Sequence, residues 1–317
     1  MSLHPDLSAF LELAELGRLS GKSQPMHALP PALARIEFDA TSQILDPNPP
    51  GNVQVSGLQL PTRDGAQIDA RLYRSAARAG KQLPVIVYFH GGGYVVGSLD
   101  SHDSVCRRLA LSGEFAVLAP AYRLAPEFPF PTAVEDAQDS LQALAGQAQA
   151  LQLDCRRLVL AGDSAGATLA TVLAAMAASE PAQAALQPMA QVLFYPVADI
   201  SQVRASHARF DEGYLLESAT LEWFYQHYVR DPLDRLDARA SPLLGTAVAQ
   251  VPAYVALAGY DPLYDEGLAY AHWLEAAGTT VTLSVETGLT HDFLRMGGIV
   301  AQVDEAYARL QAWLASL

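Results

Sequence analysis

Cysteine is scarce in this chain: Cys106 and Cys155 are the only two in 317 residues. One pair is too few for a disulfide framework. Neither sits in a local histidine or acidic constellation that resembles a thiol nucleophile, so both read as reduced thiols. Positive charge is short as well. Twenty basic residues stand against 34 acidic ones, a net charge of −14. Nucleic acids and anionic membranes select positive surfaces, so neither is expected as a partner. Metal-ligand spacing is missing: there is no His-Glu-x-x-His and no Cys-x-x-Cys, and the eight histidines are scattered. No metal is expected. Met1 to Arg18 has acidic residues and no unbroken apolar core, so it does not read as a secretory signal, and the expected location is the cytoplasm. It reads as an amphipathic helix with Phe10, Leu11 and Leu13 among its apolar residues. Ser164 to Ser179 carries no charge, but it is too short and too rich in alanine for a membrane span. A helix buried behind a sheet explains it.

What is present is a large apolar inventory, half of all residues, enough for a sizeable core. Val53 to Leu60 and Ala66 to Tyr73 alternate in polarity around Thr62-Arg63-Asp64-Gly65, which predicts a β-hairpin. Continuous apolar runs follow at Pro84–Phe89, Phe115–Ala119, Leu158–Ala161, Val192–Tyr195 and Tyr254–Ala258, each suited to a strand buried on both faces. Helix-like stretches separate most of them: Ser104–Leu111, Thr132–Ala148, Ala165–Ala178 and Tyr264–Ala277. Thr280–Val285 predicts a last strand and Gln302–Leu317 a closing helix. This alternation implies an α/β fold with a mostly parallel sheet and an antiparallel edge at the hairpin. Tyr195 to Tyr254 breaks the pattern and holds one aromatic-rich helix candidate, Leu221–Val229. The predicted division is an N-terminal helical cap region (1–50), a first part of a catalytic α/β core (51–195), a cap insertion (196–250) and the rest of the core (251–317).

Chemistry concentrates at Leu158-Val159-Leu160-Ala161-Gly162-Asp163-Ser164-Ala165-Gly166. A short apolar strand runs into Gly-x-Ser-x-Gly and then into an uncharged helix, the pattern of a nucleophile elbow. Gly162 and Gly166 are read as steric requirements of the tight turn. A serine hydroxyl is a weak nucleophile until a base takes its proton, and the base must be held by an acid. Four histidines follow Ser164. His207 and His227 fall in the insertion, and His272 lies mid-helix. His291 follows the last strand through a predicted short loop, 286–290, and is the expected base. Asp261 directly follows the strand Tyr254–Ala258 and is the expected acid. Asp265 and Glu266 are the alternatives, better read as first-turn helix acids that complement the macrodipole. Asp292 reads as a solvated surface carboxylate. His90-Gly91-Gly92-Gly93 ends the strand Pro84–Phe89. Its glycines can aim N–H groups at a developing oxyanion, with the Ala165 N–H as a further donor. His90 reads as a structural brace and Asp163 as a turn acceptor. Tyr94, Tyr214 and Leu215, with Phe210, are candidate pocket walls.

Together these residues resemble the bacterial hormone-sensitive-lipase-like esterases, a branch of the α/β-hydrolase fold. The resemblance runs through His90-Gly91-Gly92-Gly93-Tyr94, Tyr122-Arg123-Leu124-Ala125-Pro126-Glu127, Pro131 to Asp136, Gly162 to Gly166, Tyr260-Asp261-Pro262-Leu263 and His291-Asp292-Phe293. It implies cofactor-free hydrolysis of short- to medium-chain carboxylic esters by a Ser164–Asp261–His291 triad, and a helical cap over the site. It implies oxyanion donors at Gly91 to Gly93, with Gly92 foremost, and at Ala165. It also implies that Arg123 and Glu127 brace the glycine loop, with an ordinary surface ion pair as the equal alternative. Two departures stand out: Ala167 and Thr168 replace a usual glycine and asparagine, and Asp292 replaces the glycine after the base. Asp292 is expected to raise the base's pKa if it approaches the ring. A small ester is the expected partner, and the sequence allows a homo-oligomer. An amidase with the same triad, or a binding protein on the same fold, are the rival readings; the filled triad disfavours the second.

Overall fold

Alternate residues of the central strands go to opposite faces of one sheet, each into its own apolar layer. The strands are β1 (Val53–Pro61), β2 (Gln67–Ser75), β3 (Leu83–Phe89), β4 (Ala116–Pro120), β5 (Leu153–Asp163), β6 (Pro188–Phe194), β7 (Ala253–Tyr260) and β8 (Val281–Thr290). In the computed structural model, which describes residues 2–317, Val85, Val87, Phe89, Leu158 and Leu160 join one core. Ile86, Tyr88, Val159 and Ala161 join the other. This period of two, apolar at every step, is what burial on both faces requires.

The strand order is β1-β2-β4-β3-β5-β6-β7-β8. β2 runs antiparallel to both β1 and β4, and all the pairs from β4 to β8 are parallel. The hairpin and the mostly parallel sheet follow the sequence reading. Helices α4 (Thr132–Gln147), α5 (Ala165–Ser179) and α8 (Tyr264–Ala276) contribute to the first layer. Helices α3 (Asp103–Leu111) and α9 (Gln302–Ala315) contribute to the second. Residues 165–174 of α5 are all buried, which accounts for the uncharged run. No helix among the described residues is long and apolar enough to cross a membrane.

The last strand differs from expectation. Residues 286–290, predicted as a loop, continue β8 to Thr290. The register with β7 shifts on the way, from Ala258↔Glu286 to Tyr260↔Thr290. Two extra residues of β8 are absorbed beside Gly259, where a Cβ would lie 2.7 Å from the Thr287 carbonyl oxygen. The two strands therefore end level with each other.

At the chain's start lie α1 (Pro5–Leu19) and α2 (Pro31–Leu45), and between β6 and β7 lie α6 (Ala205–Arg209) and α7 (Ser218–Tyr228). The first segment touches the second. Arg18 is ion-paired and hydrogen-bonded to the nearly buried Glu217. His27 Nδ1 lies 3.2 Å from Thr220 Oγ1 and 3.6 Å from Glu217.

The elbow's glycines have no spare space. A Cβ on Gly166 would lie 2.6 Å from the His90 carbonyl oxygen, and one on Gly162 would lie 2.7 Å from that of Phe89. Gly166→Ala is expected to lower stability by about 3 kcal/mol, the upper part of the range for forced overpacking, read as a fall in the denaturant midpoint. An unchanged midpoint would contradict this packing.

Candidate active site

Ser164 stands where β5 turns into α5. Its φ and ψ are 53° and −122°, a backbone conformation that side-chain-bearing residues rarely adopt. Its N–H donates to the Phe194 carbonyl at 2.9 Å, so the neighbouring strand end holds the strained residue in place. The turn directs the hydroxyl toward His291, whose Nε2 is 2.9 Å away.

Asp261 and His291 are brought together by register. Tyr260 pairs with Thr290, so the next residue of each strand emerges beside the other. His291 Nδ1 lies 2.7 Å from Asp261 Oδ2. A carboxylate only accepts, so Nδ1 carries the proton and Nε2 is left to accept from Ser164 Oγ. Asp261 Oδ1 accepts from the Leu263 N–H at 2.8 Å, which fixes the carboxylate plane. Ser164, Asp261 and His291 are 6%, 0% and 4% exposed. Burial pushes the His291 pKa down. The charge of Asp261, its hydrogen bond and the charge of Asp292 push it up, and the net shift is upward. The Tyr195 ring stands 4.5 Å from the imidazole and backs it. The other histidines lie elsewhere: His207 in α6, His227 in α7 bonded to the Trp223 carbonyl, and His272 exposed on α8.

The glycine loop follows β3. Gly91 N–H donates to Asp163 Oδ1 at 2.9 Å, so it is already committed and cannot face an oxyanion. That corrects the inclusion of Gly91 among the donors. Gly92 (φ 116°) and Gly93 (φ 57°) turn the loop over, and both line the cavity beside Ser164. Asp163 also accepts from the Tyr88 hydroxyl at 2.5 Å and lies 3.4 Å from His102 Nε2. Burial would raise its pKa, but His102 and Tyr88 hold it at about 2. The wholly buried carboxylate thus stays charged and ties the elbow to the loop. His90 lies in the same network. Its Nδ1 is 2.8 Å from the Gly91 carbonyl, its ring stacks on Tyr122 at 4.4 Å, and burial pushes its pKa down to about 3.

Several expected roles move to neighbours. Arg123 does not reach the glycine loop. It forks onto Asp136, with contacts of 2.9 and 2.6 Å, and bonds Asp64 at 2.6 Å, so it ties the hairpin turn to α4. Tyr122 takes the bracing role, its hydroxyl donating to the His90 carbonyl at 2.7 Å. Glu127 meets the loop only through Arg35, which also donates to the Val95 and Ala125 carbonyls at 2.8 Å each. Tyr94 is buried behind the loop, stacked on Tyr228 at 3.7 Å, and is not a cavity wall. Asp292 is not a solvated surface group. It lines the cavity and binds the buried Arg295 at 2.7 Å. His102, Arg35 and Arg295 escaped the sequence reading, and a lone residue far from any motif carries no local signal of such a role.

A cavity of about 700 Å³ opens above Ser164 and His291. Tyr214 and Leu215 line it, as expected, while Phe210 packs against Tyr214 and Tyr260 behind them. Much of the remaining wall comes from α1 and α2, including Phe10, Leu11 and Phe38. No group of side chains able to hold a metal ion occurs among the described residues. A strained serine, a base with a fixed tautomer and free amides at one point can together carry out acyl transfer.

Comparison with known proteins places this arrangement. A family model described as alpha/beta hydrolase fold matches residues 86–295. The chain is 50% identical over 310 residues to an ethyl acetate hydrolase of Pseudomonas putida, covering 96% of each chain. It is 38% identical over 286 residues to a carboxylic ester hydrolase of Mycobacterium tuberculosis, covering 84% of this chain and 73% of that one. An ester hydrolase from the metagenome of Lake Arreo, solved with a bipyridine phosphonate derivative, superposes with a TM-score of 0.92. It is 35% identical, and the match covers 99% of this chain and 98% of that one. A hyperthermophilic esterase of Pyrobaculum calidifontis superposes at 0.89 with 36% identity, covering 100% and 99%. The chain belongs to the α/β-hydrolase fold family. Within that fold it stands with the carboxylic ester hydrolases.

The Asp292 charge adds to the rise in the His291 pKa. Asp292→Asn keeps the shape and tolerates the left-handed backbone at this position (φ 67°). The acid limb of the kcat/KM profile is expected to move to lower pH in this variant. A limb that stays in place would show that the charge does not reach the ring.

Proposed function

We propose that the chain is a serine carboxylesterase that hydrolyses short- to medium-chain carboxylic esters through an acyl-enzyme. Ser164 is the nucleophile, His291 the general base and Asp261 the acid that orients it. The observation that carries this reading is the His291 ring, hydrogen-bonded to Ser164 on one side and Asp261 on the other. Ser164 Oγ attacks the ester carbonyl as Nε2 takes its proton, and the buried Asp261 carboxylate stabilises the imidazolium. The N–H groups of Gly92, Gly93 and Ala165 hold the tetrahedral oxyanion. His291 then protonates the departing alcohol. Water enters, loses a proton to His291 and attacks the acyl carbonyl; the Ser164–acyl bond then breaks as His291 returns the proton to Ser164 Oγ, and the acid leaves. No cofactor takes part in any step. Activity falls in acid as His291 protonates, because Nε2 can then no longer accept.

Residues 1–50 and 196–250 form the cap. Their contact through Arg18, His27, Glu217 and Thr220, and the presence of both on the cavity wall, support this division. Substrate size follows from the apolar, roofed cavity, which suits a small ester better than a long-chain triglyceride. The resemblance to an ethyl acetate hydrolase points the same way. A cytoplasmic location agrees with the two unpaired thiols, Cys106 and Cys155.

The test is a chromogenic ester series from acetate to decanoate, with the butyrate amide alongside. Turnover is expected to peak at short to medium acyl length and to exceed that of the amide. Ser164→Ala is expected to lower kcat about 10⁶-fold and to abolish labelling by an alkyl phosphonate. Equal turnover of ester and amide, or labelling that survives in Ser164→Ala, would overturn the reading.

A further inference from the structure

Asp265 and Glu266, the alternative acids, were expected to complement the start of α8. Both instead reach into the segment inserted between β6 and β7. Glu266, wholly buried, accepts from the Ala198 and Asp199 N–H groups at 2.8 and 3.4 Å. Asp265 Oδ2 accepts from the Ser206 N–H at 2.8 Å, on α6. Ser206 returns the contact. Its hydroxyl donates to the Pro262 carbonyl at 2.6 Å and accepts from the Asp265 N–H at 3.2 Å.

Pro262 directly follows Asp261. The turn that carries the acid is closed from inside by Asp261 itself, through the Leu263 N–H at 2.8 Å to its carboxylate and the Tyr264 N–H at 3.0 Å to its carbonyl. From outside it is gripped by one hydroxyl, that of Ser206, which is 0% exposed. A serine in a helix often bonds its own backbone. This one spends its hydroxyl on another element 56 residues away.

We propose that Ser206 is a positioning residue for Asp261: its clasp on residues 262–265 sets the angle of the acid, and so the strength of His291 as a base. This deepens the triad reading and rests on Asp261 being the acid. The charges that act most on His291 are Asp261, Asp292 and Asp163. His207, next to Ser206, senses Asp261, Asp265 and Arg204 and lies 3.6 Å from Glu266. Ser206→Ala changes none of these charges. Any movement of the acid limb must therefore come from geometry.

The experiment measures kcat, KM and the pH profile with p-nitrophenyl acetate for Ser206→Ala, Ser206→Thr, Asp265→Ala and Asp261→Asn. Ser206→Ala is expected to lower kcat about tenfold, the scale of a small misplacement of a reacting group. Its KM stays within about twofold of the natural chain's, since the hydroxyl does not touch substrate. Its acid limb moves to lower pH, because a slackened Asp261 raises the His291 pKa less. Ser206→Thr, which keeps the hydroxyl, restores kcat. Asp265→Ala, which cuts the clasp from the other side, lowers kcat at unchanged KM as well and carries the kcat test if Ser206→Ala does not fold; because it also removes a charge, its acid limb does not enter the comparison. A rise in KM with kcat and acid limb unchanged would overturn the proposal and leave Ser206 as packing for the insertion. Full activity in Asp261→Asn would instead sink the triad reading. Loss of activity there, beside a Ser206→Ala enzyme like the natural one, would sink this proposal alone.

Discussion

Backbone meets backbone where β5 ends. Gly162 and Gly166 lie so close to the Phe89 and His90 carbonyls that neither position has room for a methyl group. This close approach folds the turn back on itself and forces Ser164 into a conformation that a serine would otherwise avoid. It also brings the elbow against the end of β3, where the glycine loop begins. Asp163 then reaches across to the Gly91 N–H and fastens the two. Ser164 and the glycine-loop amides are thus parts of one joint, an arrangement in which amides aimed at a developing charge would not have to reorganise.

The other half of the site comes from a different device. Asp261 and His291 do not share a turn. They share a strand pair, and the two residues absorbed in β8 make its end coincide with that of β7. Burial alone would make the imidazole a poorer base, and the neighbouring carboxylates reverse that effect. The same low-dielectric setting strengthens the Asp261–His291 contact. Strain on one side of the sheet's rim and register on the other meet at a 2.9 Å contact between residues 127 positions apart.

Much of this was legible in the sequence, and the exceptions share a cause. Ser164, Asp261 and His291 could be read because each follows an apolar strand and each has a chemistry few residues share. The two-faced strands could be read from apolar runs without polar breaks. Arg123 was misplaced because its partners, Asp64 and Asp136, lie in elements that no local pattern links to it. Gly91 was counted as a donor because a sequence shows that an amide exists and not that Asp163 has already taken it. The end of β8 was missed because Gly288 and the threonines around it look like a turn, whereas pairing with β7 holds them extended. Tyr94 looked like a wall because it follows the loop, but the loop's positive φ at this residue (63°) turns its ring inward onto Tyr228. Side-chain direction is a tertiary property there.

The chamber over Ser164 is walled largely by residues 3–45 and 212–225. The Arg18–Glu217 contact that joins these walls spans 199 positions, and the Ser42–Arg295 contact beneath them spans 253. During synthesis the first wall leaves the ribosome long before its counterpart exists, and the base arrives later still. Closing such long loops is slow, because chain entropy is lost before any contact repays it. A chain interrupted after Ser164 therefore holds a serine with half a roof and no base, and reactivity waits for residue 291.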